Sequence, residues 1–193
     1  MTAVDAKELL QIFLEPGGLC CVAEPAVIRT VLGSCVAVCL VDRHHRAAGM
    51  NHYVLPGGPD ESSNYRYGSA AIEELIQRMT WAGCAIGDLR AKVFGGAAVL
   101  PFGAAEDTVG TKNVAIALEL LRRRSIPVVA RRTGGENGLL IRLYTATGGV
   151  LVRPIGRAPG RNAAGRVASH DSRADGVTSD PIRPPALCEP TPS

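Results

Sequence analysis

Apolar positions along this chain fall into two rhythms. "CVAVCLV" (35–41) is an unbroken run of small and β-branched residues, the signature of a strand buried on both faces. "AAGMNHYVLP" (47–56) reads as a second strand, stopped by Pro56-Gly57-Gly58. In "SAAIEELIQRMTWAG" (69–83) the period lengthens: Ile72, Leu75, Ile76 and Met79 recur at helical spacing, with Ser69 as the expected cap and Gly83 as the stop. "AKVFGG" (91–96) returns to strand. "GTKNVAIALELLRRRSIP" (110–127) predicts a second helix with Thr111 as cap and a buried stripe of Val114, Ala117, Leu118 and Leu121. "PVVARR" follows as a strand, and "GLLIRLYTATGGVLVRPI" (138–155) as a hairpin turning near Ala146–Gly149. Strands and helices alternate only in part, and the end is strand-rich. The pattern therefore predicts an α/β (α+β) domain built on a mixed or antiparallel sheet with helices packed on it.

Composition bounds the partners. The 36 residues from Ala158 to Ser193 hold six prolines, three glycines and no aromatic residue. Such a stretch buries too little apolar surface to offset its ordering entropy, so the expected division is a domain over 1–157 and a disordered tail over 158–193. A formal charge of +3 gives no concentrated basic face, which argues against nucleic acid as partner. The run Arg122-Arg123-Arg124 falls at a helix end, where cations suit the dipole. No apolar run approaches the roughly 20 residues that cross a bilayer. Asp5, Lys7 and Glu8 precede only a short apolar patch, unlike a secretory signal, so the expected location is the cytoplasm and no membrane insertion is expected. Six scattered cysteines (20, 21, 35, 39, 84, 188) do not make a disulfide framework and are expected as thiols.

The candidate chemistry lies in "VLGSCVAVCLVDRHHRAAGMNHYVLPGG" (31–58). Gly33 and Ser34 place Cys35 where a loop enters a strand, and glycine there leaves backbone N–H groups available to a developing oxyanion. A thiol becomes a nucleophile when a neighbour takes its proton. Cys39 shares a strand face with Cys35 but lies roughly 13 Å away, at about 3.3 Å per residue, and reads as core. His52 follows Cys35 by 17 residues, the length of a strand, a turn and a return strand, which could bring it back beside Cys35. In its strand Met50, His52 and Val54 share one face, and Asn51 and Tyr53 the other. A buried core histidine is the competing reading. His44 and His45 read as a solvated turn. Zinc is disfavoured because two cysteines in one strand hold their sulfurs too far apart to chelate. No metal or other cofactor is expected.

"GSCVAVCLVD" followed by "GMNHYVLP" resembles the CheD family of chemoreceptor glutamine deamidases. "KVFGGAAVL", "VGTKNVAIALELLRRRSIPVVARRTGG" and "GGVLVRPI" are similar to further blocks of that family in the same order, together covering roughly residues 12 to 156. The resemblance implies a central β-sandwich flanked by helices, similar to the catalytic domain of deamidating bacterial toxins. It implies a Cys–His–Thr group: Cys35 matches the nucleophile and His52 the base. In some members the threonine lies six residues before the cysteine; here that position is Arg29, and Thr30, five before, is the candidate for orienting His52. Ser34, Gly33, Asn51, Gly95 and Gly96 are the candidates for oxyanion and substrate contacts. Gly57–Gly58 and Gly95–Gly96 are the expected rim of a shallow groove. Two departures stand out: "GGENGLL" where members often have Gly-Gly-Asn-Arg-Gly-Arg, and Ser69 where an acidic residue is frequent.

What the resemblance implies for function is hydrolysis of receptor glutamine side chains to glutamate through a cysteine thioester, with glutamate methyl esters as a second substrate. The implied partners are the cytoplasmic helices of a chemoreceptor (a methyl-accepting chemotaxis protein) and the CheC phosphatase. The competing expectation is an adaptor that binds receptors and CheC with little or no catalysis.

Overall fold

The computed structural model describes residues 9–57, 64–98 and 108–155. The expected tail at 158–193, Cys188 and the rim position Gly58 lie outside those residues. Among the described residues nine strands form two sheets. β1 (Leu10–Phe13), β3 (Ala26–Leu32), β8 (Gly138–Tyr144) and β9 (Gly149–Ile155) make a four-stranded sheet in the order β1-β3-β8-β9. β2 (Leu19–Val22), β5 (Ala48–Asn51), β4 (Val36–Asp42), β6 (Leu89–Gly95) and β7 (Val128–Thr133) make a five-stranded sheet in the order β2-β5-β4-β6-β7. β1 pairs parallel to β3 and β6 parallel to β7; the other pairings are antiparallel. The architecture is thus the expected mixed α/β sandwich.

β4 explains the layering. All seven of its residues are buried. Val36, Val38 and Leu40 enter one core with α1 (Gly68–Trp81) and α2 (Val109–Arg123), whereas Ala37, Cys39 and Val41 enter a second core against the four-stranded sheet. A strand with a core on each side needs apolar residues on both faces, which is why Val36 to Val41 run without alternation before buried Asp42 ends the strand. β3 alternates from Ile28 onward: Ile28, Thr30 and Leu32 are buried, while Arg29 and Val31 are exposed; Ala26 and Val27 are both buried. Among the described residues both helices pack on the five-stranded sheet, as expected of a sandwich flanked by helices.

The helix ends differ from expectation by a few residues. Tyr67, not Ser69, is the N-cap of α1, and Gly83 with φ +84° closes that helix. Thr108 caps α2, its hydroxyl accepting the Thr111 N–H at 3.1 Å. The residues α2 buries are Gly110, Asn113, Ala117 and Leu121, with Val114 and Leu118 packed at the margin of the core. Arg122 and Arg123 pair with Glu119, and Arg124 with Glu73 of α1, so the basic run belongs to the helix surface. Three strands precede Cys35 that the hydrophobic pattern did not announce: β1 and β2 have four residues each, too few to show a period, and in β3 the buried Val27 breaks the alternation.

Candidate active site

Cys35 and His52 sit at the end of the β4–β5 ladder. β4 and β5 pair with Cys39 opposite Met50, and the same register carries on to Val36 opposite Tyr53, which exchange both backbone hydrogen bonds at 3.0 and 3.1 Å. That register sets Ala37 opposite His52 and Cys35 opposite Val54. Residues 35 and 52 therefore share one face of the sheet as diagonal neighbours, a spacing of roughly 7–8 Å between backbones that side chains can span. Tyr53 and Asn51 turn to the opposite face, toward the helices.

His52 is buried and held from several sides. Its N–H donates to the carbonyl of Gly18 at 2.9 Å, and its own carbonyl accepts the N–H of Gly17 at 2.7 Å. On the ring, Nδ1 is 2.8 Å from Oγ1 of Thr30 and 3.5 Å from the carbonyl of Leu14. Thr30 Oγ1 also donates to that carbonyl at 2.7 Å. A hydroxyl has one proton to give. With it committed to Leu14, Thr30 accepts from Nδ1–H, and the lone pair of the neutral ring lies on Nε2. That atom is buried with no hydrogen-bond partner. Thr30 reaches His52 because the even positions of β3 point inward; Arg29 faces out, its guanidinium 5.8 Å from the centre of the Phe13 ring.

Cys35 is half-buried, as are Gly33 and Ser34 before it and Val54, Leu55 and Pro56 across from it. Burial pushes its thiol up from the ordinary range, opposed by its own backbone N–H and by the charge of Arg66. Burial pulls the His52 imidazole down, opposed by the Leu14 carbonyl and the charge of Glu15. Both shifts favour the uncharged thiol and the uncharged imidazole.

The other sequence candidates divide. Gly33 and Ser34 adjoin Cys35, and among the described residues no backbone carbonyl accepts the N–H of Ser34 or Cys35. Asn51 is a correction: it is fully buried on the helix side, where its Oδ1 accepts the Val38 N–H at 2.8 Å, and strand alternation keeps it off the Cys35 face. Gly95 and Gly96 are buried beneath Cys35 instead of forming a rim. Gly96 N–H donates to the Cys35 carbonyl at 2.8 Å, and a Cβ on Gly95, whose φ is +104°, would run into that same carbonyl. Cys39 is core, with burial pushing its thiol up to about 12. His44 and His45 are exposed, and no group of three or more metal-ligating side chains occurs among the described residues.

Two contributors were given no role at the site from sequence, although Asn113 lies in the Gly-x-x-Asn-Val block that resembles the family. One is the turn Leu14–Gly18, which grips His52 through backbone groups alone. Pro16-Gly17-Gly18 marks a turn, but nothing local says what the turn touches. The other is Asn113, fully buried on α2. Its signal was available: Gly110, Asn113, Ala117 and Leu121 form a helical stripe, and an amide on a buried stripe requires partners.

The sequence model of the family described as CheD chemotactic sensory transduction matches residues 54–154. A protein of Rhodospirillum rubrum named "Probable chemoreceptor glutamine deamidase CheD" is 64% identical over 161 residues, covering 83% of this chain and 92% of its own. One of the same name from Trichlorobacter lovleyi is 40% identical over 163 residues, covering 84% and 99%. Among solved structures, that of the Bacillus licheniformis hypothetical protein YfiH aligns with a TM-score of 0.44 at 13% identity, over 62% of this chain and 51% of that one.

Proposed function

The chain belongs to the CheD family, and on that premise we propose that it is a chemoreceptor glutamine deamidase that uses Cys35 as nucleophile and His52 as base. The observation that carries this reading is the relay from Leu14 through Thr30 to His52, which leaves Nε2 unpartnered on the sheet face that Cys35 shares.

In the proposed cycle, Nε2 of His52 takes the Cys35 proton as sulfur bonds to the side-chain carbonyl carbon of a receptor glutamine. The N–H groups of Ser34 and Cys35 receive the oxyanion. The tetrahedral adduct collapses with loss of ammonia, which leaves carrying the proton from His52. A thioester remains. Water, deprotonated by the same Nε2, attacks it; the C–S bond breaks, the thiol regains its proton, and glutamate departs. Thr30 and Leu14 stabilise the imidazolium that forms twice in each turnover. A glutamate methyl ester enters the same sequence with methanol as leaving group. Residues 33–35 and 54–56 border the mouth, which suits a side chain presented on a receptor helix; a CheC phosphatase competes for the same mouth.

The test is to incubate the full chain with a receptor cytoplasmic fragment and map glutamine-to-glutamate conversion by mass spectrometry. Conversion should vanish in Cys35→Ala and fall steeply in His52→Ala. Undiminished conversion by Cys35→Ala refutes the assignment.

A further inference from the structure

The β4–β5 ladder ends at Val36 and Tyr53, one residue short of the nucleophile. Beyond it the strands lose each other as partners: the N–H groups of Val54 and Leu55 turn to the carbonyl of Arg66, at 2.9 and 3.0 Å. The carbonyls of Ser34 and Val54 are left facing α2. There the Nδ2 amide of Asn113 donates to both, at 3.1 Å to Ser34 and 2.8 Å to Val54. An amide nitrogen has two protons, and both are used.

The two carbonyls are not arbitrary. Ser34 immediately precedes the nucleophile. Val54 lies opposite Cys35 in register and two residues after the base. One side chain thus ties the strand carrying Cys35 to the strand carrying His52, at the point where backbone pairing has stopped. Asn113 is itself anchored. Its carbonyl accepts the Tyr53 hydroxyl at 2.6 Å, and one turn earlier a Cβ on Gly110 would come within 2.6 Å of the Gly96 carbonyl, so α2 presses close on the loop beneath Cys35. Burial pushes the Tyr53 phenol up, which keeps it a donor.

We propose that Asn113 is a positioning residue that sets the gap between the nucleophile strand and the base strand. This rests on the Cys35–His52 reading. Asn113 touches no substrate; it acts by holding sulfur and imidazole at transfer distance. Without its two N–H groups the strand ends part, while the cores below, which do not depend on it, hold the fold.

The test is the pH profile of Cys35 alkylation by iodoacetamide in the full chain, followed by peptide mass spectrometry, with and without His52→Ala. In the wild type, His52→Ala should slow labelling at pH 7 severalfold. In Asn113→Ala and in Asn113→Leu, which fills the volume but donates nothing, labelling should slow about as much, and adding His52→Ala should then change nothing further. Deamidation should lose kcat by about tenfold or more with KM little changed. A folded Asn113 variant that keeps the wild-type profile and its dependence on His52 overturns the proposal alone. A wild type indifferent to His52→Ala overturns the Cys–His reading and the proposal with it. If neither Asn113 variant folds, Tyr53→Phe decides: a weakened dependence on His52 supports the proposal, and an unchanged one overturns it.

Discussion

Replacing Thr30 by valine removes one hydroxyl and leaves the shape nearly intact. In the protein that hydroxyl accepts from Nδ1 of His52 at 2.8 Å and donates to Leu14 at 2.7 Å, all in a buried setting. Two costs follow. In the resting state an N–H and a carbonyl lose their partner; an orphaned buried group costs about 1–3 kcal/mol. Because Nδ1 already lies 3.5 Å from the Leu14 carbonyl, a small shift lets the two satisfy each other, which holds the sum near the lower end of that range. The melting temperature should fall by about 2–4 °C per kcal/mol for a domain of this size. On the proposed mechanism the loss in turnover is greater, because there the hydroxyl supports the imidazolium. A hydrogen bond to a charged group is worth about 1.5–3 kcal/mol, and each 1.36 kcal/mol is tenfold in rate, so deamidation should slow by about ten- to a hundredfold. The imidazolium loses more than the neutral ring, so the His52 pKa should drop further and the acid limb of the rate profile should move to lower pH. Thr30→Ser keeps the hydroxyl and serves as reference. Deamidation of a receptor fragment, followed by mass change across pH 5 to 9, measures both effects. Should Thr30→Val work within twofold of Thr30→Ser on an unmoved profile, the relay has no part in the reaction.

Other outcomes follow from burial and charge. Limited alkylation followed by peptide mapping should label Cys35 well before Cys84, and Cys39 only after unfolding, since Cys84 and Cys39 are buried. Because burial raises the Cys35 thiol, its labelling should keep climbing past pH 9 and should lack the low-pH plateau of a preformed thiolate. His52 is shifted down, so the folded state binds fewer protons than the unfolded chain; stability from this group is complete above about pH 6.5 and is lost as pH falls below it. Cys35 and Cys39 are shifted up, so their contribution is complete below the ordinary thiol pKa and is lost as pH rises; thermal melts from pH 8 to 11 should show a steeper alkaline decline than those of Cys39→Ala. Gly95→Ala combines φ +104° with a Cβ directed into the Cys35 carbonyl, so it should destabilise by more than 1 kcal/mol and depress deamidation, read from urea melts and the receptor assay.

Much of the chemistry could be read because it was local. The unbroken run 35–41 declared a strand with a core on each side, and the turn that follows returned the chain at a length that brings residue 52 back toward residue 35. Period two alone then set Met50 and His52 on one face and Asn51 and Tyr53 on the other, and it already told against Asn51 as a cleft residue. The β1 and β2 segments, at four residues each, show no period, and so the first half of the sandwich stayed hidden.

By itself the sequence pointed to Cys35 and His52 as the candidate pair, to the two helices and to most of the strands after Cys35, because each is written in residues close together along the chain. Only the tertiary structure decided what holds His52. Leu14, Gly17, Gly18 and Thr30 meet it from another turn and another sheet, and three of those four act through backbone groups that every residue type carries. It likewise decided that Thr30 and not Arg29 faces the imidazole, since that depends on which side of β3 meets the five-stranded sheet. And it decided the place of Asn113, 79 positions from the carbonyl of Ser34 that it binds. Local periodicity specifies which way a side chain points from its own element; what lies in that direction is settled when the elements pack.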